Sequence, residues 1–471
     1  MYKFDAVINN EFIKTESQLE IINPDGLLVA GTVAALNAEQ INQAFQAARA
    51  AQKAWESESL LKRISILKKW SNLLLEQKEA LAQIIMAEVG KSHSDAVNEV
   101  MRSVEYMDAT FEEAKRMQPL SLTGQDFGVA NKLGTFEHVA KGVGLAISPF
   151  NFPINLAMSK IAPALVMGNT LVFKPATAGS LTGSMLGKLA VEAGLPAGVF
   201  NVVTGRGREI GDLITQNKEI NFINFTGSVD IGHRILDIAT SKDIVLELGG
   251  KDPALVMDDS DLEKYASEII VGAFSYSGQR CTAVKRVITT NAIADKLVPI
   301  LADKIKKLKV GSPKDNAFIT PVIDMKSADF IWELIQDSKK DGAKVITGDK
   351  REANLIYPTL VDFVTTKMRL AWEEPFGPVL PIIRIDDLQQ SIEVINKSNF
   401  GLQASIYTKD IAQAIHLAKK IEVGTVNING KSQRGPDSFP FLGVKDSGQG
   451  VQGIHEALLS VTRYKGIVIN Y

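Results

Sequence analysis

Cysteine occurs once in this 471-residue chain, at Cys281. One thiol excludes an intramolecular disulfide framework and fits a reducing compartment. Histidine is also scarce, with five residues scattered at no metal-ligand spacing, so no metal site is expected. Charge of one sign is lacking too: the formal net charge of −2 gives no general attraction to nucleic acid or acidic membranes. Long apolar runs are absent. The most apolar region, 143–173, is broken by Pro149, Pro153, Lys160 and Pro163, a pattern of buried strands and helix starts rather than a membrane span. The opening "MYKFDAVINNEFIK" carries no signal-peptide h-region, so a cytoplasmic protein that contacts neither membrane nor nucleic acid is expected. There is no solenoid-period repeat and no low-complexity tract.

What is present is an ordinary globular composition, 45% hydrophobic and 23% charged, in a chain too long for one core. Asn37-Ala-Glu-Gln40 reads as a capping box, and behind it Ile41, Phe45, Ala48, Ala51 and Trp55 share one helical face. A second helical stretch, about Leu60 to Val89, stops at Gly90. From Val143 the rhythm changes. "VGLAI", "LVFK", "VFNVV", "INFINF" and "IVLEL" are strands spaced by helix-length segments, which predicts βαβ units and a parallel sheet. A second series, "KRVITT", "AKVITG", "VLPIIRI" and "ASIYT", follows Cys281. Two α/β domains are therefore expected, with a boundary near Leu248 to Lys251. Residues 117–132, rich in turn and polar types, read as an excursion that leaves the first domain and returns.

Several stretches carry candidate chemistry. "GRGREIG", Gly205 to Gly211, misses the dinucleotide fingerprint by one residue and fits a glycine turn opening a helix equally well. "FTGSVDIG", Phe225 to Gly232, follows a strand and precedes a helix, so its amides are placed to face a phosphate. "DKIKKLKVG", with Ile305 and Leu308 on one face, reads as a solvated amphipathic helix. Cys281 in "SGQRCTAVKR" reads either as a small buried hydrophobe or as a nucleophile. Gly278 and Gln279 suit a tight turn, and Arg280 would favour a thiolate, yet no histidine partner is near in sequence. Glu247, ending an apolar run before Gly249-Gly250, reads as a capping or salt-bridging residue or as a general base.

Seven motifs in order, "ISPFNFPINL", "LVFKPA", "FTGS", "LELGGKDP", "GQRC", "EEPFGPVLP" and "FPFLGVKDSG", span about residues 20 to 465. Together they resemble the aldehyde dehydrogenase superfamily. "YSGQRCTAVKR", "MRLAWEEPFGPVLP", "SNFGLQASIYT" and "QRGPDSFPFLGVKDSG" are similar to one branch of it. Members of that branch oxidise glyceraldehyde 3-phosphate with NADP and without inorganic phosphate.

The resemblance implies an α/β fold with a Rossmann-like cofactor domain (1–116 and 139–247) and an α/β catalytic domain (248–449). It also implies a small β oligomerisation extension (117–138 and 450–471), which includes "GIVINY", and a homotetramer or, failing that, a dimer. It makes Cys281 the nucleophile, Glu247 the base that activates water against a thioester, and Asn151 an oxyanion donor beside the Cys281 N–H. Ser148, Lys174, Thr177, Gly227, Ser228, Leu248, Glu374 and Phe376 would meet the cofactor. NAD-preferring members carry glutamate where Thr177 stands, so NADP is expected, with NAD the weaker alternative. Arg102, Arg280 and Arg434, with Asn151, Phe152 and Thr282, would meet a phosphorylated aldehyde. For each arginine the competing reading is a surface ion pair. Phe152 stands where the branch often has tyrosine, removing one hydroxyl from the substrate side.

Three alternatives stay open. One is oxidation of an unphosphorylated aldehyde such as lactaldehyde or succinic semialdehyde. Another is transfer of the thioester to coenzyme A, against which Glu247 speaks. The last is a non-enzymatic binding role.

Overall fold

The computed structural model describes all residues, Met1–Tyr471. Two sheets organise the chain, each with its own apolar cores. The first has eight strands. Its centre is a parallel array in the order Asp243–Glu247, Phe222–Thr226, Val143–Ile147, Thr170–Lys174, Phe200–Val202. Antiparallel pieces finish both edges, Gly448–Gln449 at one and the hairpin Ala6–Ile8/Glu11–Ile13 at the other. The central strands are buried along their whole length, as expected for a parallel sheet covered on both faces. The second sheet has seven strands in the order Lys344–Thr347, Thr359–Asp362, Val379–Ile385, Arg286–Thr290, Pro253–Val256, Gln403–Tyr407, Thr425–Ile428. Only its edge strand Lys344–Thr347 is antiparallel. The chain crosses from one sheet to the other between Glu247 and Pro253.

Local signals behave as their chemistry dictates. The Asn37 side chain accepts from the Gln40 N–H and the Gln40 side chain accepts from the Asn37 N–H, capping the helix Ala38–Ser57. That helix buries Ile41, Phe45, Ala48 and Trp55. The stretch 60–89 is two helices rather than one, Leu60–Glu76 and Lys78–Val89, broken at Gln77. The break re-aims the second helix so that Glu88 reaches the start of another helix: its carboxyl accepts from the N–H groups of Leu181 and Thr182. Gly90 ends the second helix in the left-handed region, φ 67°. The basic run after Asp303 is helical only to Lys306. Ile305 is buried, whereas Leu308 lies beyond the helix end.

A separate three-stranded sheet joins Leu120–Thr123, Lys132–Ala140 and Thr462–Asn470. The last two pair antiparallel from Thr462↔Ala140 to Asn470↔Lys132. The helix Ile454–Ser460, although within 450–471, sends Leu458 into the core beneath the first sheet. No helix is long and apolar enough to cross a membrane.

Candidate active site

A cavity of about 790 Å³ opens at the C-terminal ends of the first sheet's strands, where ligands bind in open α/β sheets. Ser148, Lys174, Thr177, Gly227, Ser228, Leu248, Glu374 and Phe376 all line it, and so do Asn151 and Cys281. Glu247, Arg102, Phe152, Arg280, Thr282 and Arg434 do not. Cys281 therefore stands where a long cleft meets a second, more polar region.

The nucleophile candidate is delivered by a strained turn. Tyr276, Ser277 and Gly278 take φ values of 50°, 54° and 73° in succession. Two non-glycine residues in the left-handed region are unfavourable unless the surroundings over-determine them. Here they do. The Tyr276 hydroxyl donates to the Val89 carbonyl at 2.6 Å. The Ser277 hydroxyl donates to the Thr320 carbonyl at 2.7 Å and accepts from the Thr320 N–H at 2.8 Å. At Gly278 any Cβ would stand 2.4 Å from the Gly377 carbonyl oxygen, so only glycine fits.

Cys281 is half-buried, and its sulfur lies 3.9 Å from Glu247 Oε1. Burial, then the neighbouring Glu247 charge, push the thiol up to about 12. Glu247 ends its strand deep in the protein. Its other oxygen, Oε2, accepts from Arg434 Nη1 at 2.7 Å and from the Thr226 hydroxyl at 3.0 Å. Burial works to raise this carboxyl, but Arg434, Lys160 and Thr226 outweigh burial and hold it below the ordinary carboxylate range. The pair thus rests as thiol and carboxylate, with a free carboxylate oxygen facing the thiol. Asn151 donates one amide N–H to the Gln279 carbonyl at 2.9 Å, which leaves its second for a ligand. The Cys281 N–H donates to no protein acceptor. Two free donors therefore flank the sulfur, the arrangement an oxyanion needs.

Along the cleft, the helix Val229–Ile238 begins at Ser228 with no side-chain cap, so its first N–H groups are free for an anion. A Cβ at Gly227 would stand 2.4 Å from the Phe225 ring, so glycine lets the turn lie against that ring. Lys174 Nζ is buried with one acceptor, the Pro175 carbonyl, and burial lowers its pKa to about 8. The Ser148 hydroxyl is buried without a partner. Thr177 brings no carboxylate. Basic groups and unpaired donors with no acid at Thr177 suit a dinucleotide carrying an extra phosphate. The "GRGREIG" segment opens the helix Gly207–Thr215, and Gly207, Arg208 and Gly211 line the same cavity.

The arginines are not all surface pairs. Arg434 is 10% exposed, and it donates to Glu247 and to Gln452. Arg102 grips Asp437 with two N–H groups at 2.9 and 2.8 Å and also donates to the Arg434 carbonyl, latching the Arg434 loop. Arg280 donates to the Val271 and Gly272 carbonyls, and its Nε has no partner. The Thr282 carbonyl accepts from the Ser432 hydroxyl. Phe152 lies edge-on to Tyr276 with Lys91 Nζ 3.6 Å from its ring centroid.

Sequence reading missed Lys160, Thr226 and Lys285. Lys160 Nζ donates to the Thr226 hydroxyl at 2.6 Å, and burial draws its pKa down to about 7. Its one signal was a lone lysine inside an apolar helix, which also reads as an interruption. Lys285, four residues past Cys281, sat inside a motif already quoted.

The aldehyde dehydrogenase family model matches residues 12–467. An NADP-dependent glyceraldehyde-3-phosphate dehydrogenase of Streptococcus equinus is 47% identical, with 99% of each chain covered. A 3-sulfolactaldehyde dehydrogenase of Priestia aryabhattai is 35% identical over 99% of this chain and 98% of that one. The crystal structure of NADP-dependent glyceraldehyde-3-phosphate dehydrogenase from Bacillus halodurans C-125, complexed with NADP, matches with a TM-score of 0.99 at 49% identity, all of both chains being covered.

Proposed function

The chain belongs to the aldehyde dehydrogenase family, and we propose that it oxidises glyceraldehyde 3-phosphate to 3-phosphoglycerate with NADP, water and no inorganic phosphate. The observation that carries this reading is the junction at Cys281. A thiol, a carboxylate 3.9 Å away and an amide with a free N–H meet at the end of a cleft with no acid at Thr177.

The Cys281 thiol releases its proton to solvent and the thiolate attacks the aldehyde carbon, forming a thiohemiacetal. The developing oxyanion takes hydrogen bonds from Asn151 Nδ2 and the Cys281 N–H. NADP, when bound along the cleft, supplies the hydride acceptor for this carbon. Ser228 with the helix start behind it, Lys174 and Thr177 hold its phosphates and adenosine ribose. Glu374 and Phe376 hold the nicotinamide end beside Cys281. The thioester left on Cys281 is opened by water, whose proton Glu247 removes, and the thiolate departs as the acid is released. Unspent guanidinium N–H groups, Arg280 Nε among them, meet the substrate phosphate, with Arg102 and Arg434 behind them. Thr282 and Phe152 wall this end.

The protein is a cytoplasmic homotetramer in this reading. The three-stranded sheet exposes apolar residues on both faces, Leu133, Ile467 and Ile469 on one and Leu120, Leu122 and Val468 on the other, which further copies would cover. Sedimentation velocity tests the assembly. The activity is tested by kcat/KM for glyceraldehyde 3-phosphate, 3-sulfolactaldehyde, lactaldehyde and succinic semialdehyde, with NAD and NADP, in phosphate-free buffer. The phosphorylated aldehyde with NADP is expected to lead. An equal or higher value for an unphosphorylated aldehyde would overturn the assignment.

A further inference from the structure

Lys285 has no part in the chemistry above, yet it is built into the site on every side. Its side chain is 2% exposed. Nζ donates to the Cys281 carbonyl and lies 3.0 Å from Glu374 Oε1. Its own N–H donates to the Asp252 carbonyl. Glu374 Oε1 also accepts from the Gly250 N–H at 3.1 Å. The fit is close. A Cβ at Gly249 would stand 2.2 Å from Glu374 Oε2, and one at Gly250 would stand 2.9 Å from the Cys281 carbonyl oxygen. The two glycines that follow the Glu247 strand are thus needed because Glu374 and the nucleophile's backbone press on that turn. Lys285 ties these pieces together: the Cys281 loop, the turn after Glu247, and the cleft wall that carries Glu374. Burying an ammonium is unfavourable, and an uncharged side chain would fill the space without that cost. The position therefore uses the charge.

We propose that Lys285 is a positioning residue of the active site, one that fixes the Cys281 carbonyl against Glu374 and lends the sulfur the positive charge that favours its thiolate. The inference rests on the reading of Cys281 as the nucleophile. Six charged groups act on the sulfur. Glu247 and Glu374 disfavour the thiolate, whereas Lys285 and Arg434 favour it, Lys285 first. Lys160 and Arg280 also face it. The other three cations are committed elsewhere: Arg434 to Glu247 and Gln452, Lys160 to Thr226 and the Leu156 carbonyl, Arg280 to the Val271 and Gly272 carbonyls. Lys285 alone of the four donates to the nucleophile's own backbone.

Cys281 is the only thiol, so iodoacetamide uptake by cofactor-free protein reports on it alone. In Lys285→Met the alkylation curve is expected to move to higher pH by about one unit, so alkylation on the rising limb is about tenfold slower. A folded variant whose curve overlays the wild type overturns the proposal. Losing Lys285 leaves Glu374 without its cation, which threatens folding. The pair Glu374→Gln and Lys285→Met/Glu374→Gln removes that objection. The double variant is expected to be displaced upward from the single one, and coincidence of the two curves also overturns the proposal. A purely structural lysine would lower the melting temperature and leave both comparisons unmoved. The nucleophile reading fails separately: fully alkylated wild-type protein that still oxidises substrate removes Cys281 from the mechanism, whatever the curves show.

Discussion

Arg434→Gln is the perturbation with the sharpest consequence, because the arginine grips Glu247, the proposed base. Unit charges 2.7 Å apart attract by about 6 kcal/mol at an effective dielectric near 20. Breaking one side of such a buried pair destabilises proteins by about 3–5 kcal/mol. The sign follows from the partners. Glu247 is held below its unfolded value because Arg434, with Lys160 and Thr226, outweighs burial. Its ionisation therefore stabilises the fold above the unfolded carboxylate pKa, and that contribution is lost as pH falls through the folded value. Without Arg434, burial prevails and the carboxyl moves upward. Each unit by which it passes the assay pH cuts the ionised fraction about tenfold.

Two measurements check this. The acid limb of kcat against pH should move to higher pH in Arg434→Gln, with activity returning as pH rises. Rapid mixing below that limb should show a burst of NADPH followed by slow turnover, since thioester hydrolysis needs the base. Both glyceraldehyde 3-phosphate and unphosphorylated glyceraldehyde should share the shift. Identical acid limbs in variant and wild type would refute the reasoning. A loss confined to the phosphorylated aldehyde would reassign Arg434 to the phosphate alone.

Glu247→Gln should leave the first turnover within a few-fold of wild type in rapid mixing and slow the steady state by at least about 100-fold, because water then lacks its base. Thr177→Glu should turn the ratio of kcat/KM values from NADP toward NAD, since a carboxylate there repels a 2′-phosphate and accepts from a 2′-hydroxyl; an unchanged ratio would take Thr177 off the ribose. Gly278→Ala should lower the denaturation midpoint by an amount equivalent to at least about 1–3 kcal/mol, because the new Cβ would stand 2.4 Å from a carbonyl oxygen at φ 73°; urea unfolding gives the value.

The parts legible in the sequence are those encoded locally. The Asn37 capping box, the Gly90 stop and the strand rhythm from Val143 depend on neighbours within a few residues, and each forms as its pattern dictates. The Gln77 break did not show, because both flanking helices keep a helical period and only their different tertiary partners require the turn. The cavity-lining residues were found through motifs rather than periodicity. The arginine arrangement was out of reach. Arg434 and Glu247 are 187 positions apart, and nothing in either neighbourhood says that one neutralises the other. An exposed pair was the competing reading for Arg434, but the fold buries the pair beside Cys281.

The same distance problem hides how the two working loops are held. Asn151 precedes the helix Asn155–Val166, and Thr177 precedes Ser180–Glu192. Neither helix has a side-chain cap from the residue before it. Both are capped from afar. Glu99 Oε1 accepts from the N–H groups of Ile154 and Asn155, and the Glu88 carboxyl accepts from those of Leu181 and Thr182. Lys91 pairs with Glu99 and also lies under the Phe152 ring. A local serine or aspartate cap would satisfy the same helix ends. It would also place its own side chain in the loop that must face the ligand. Carboxylates reaching in from the preceding helices satisfy those N–H groups from behind and leave the Asn151 and Thr177 loops open to the cleft. That arrangement requires buried acids, and burial pushes Glu88 up to about 8. A carboxyl raised in this way stabilises the fold below its unfolded pKa, and the contribution fades as pH rises through the folded value. The Thr177 loop is thus anchored by a group whose stabilising contribution fades on the alkaline side, whereas that of the Glu247–Arg434 pair fades on the acid side.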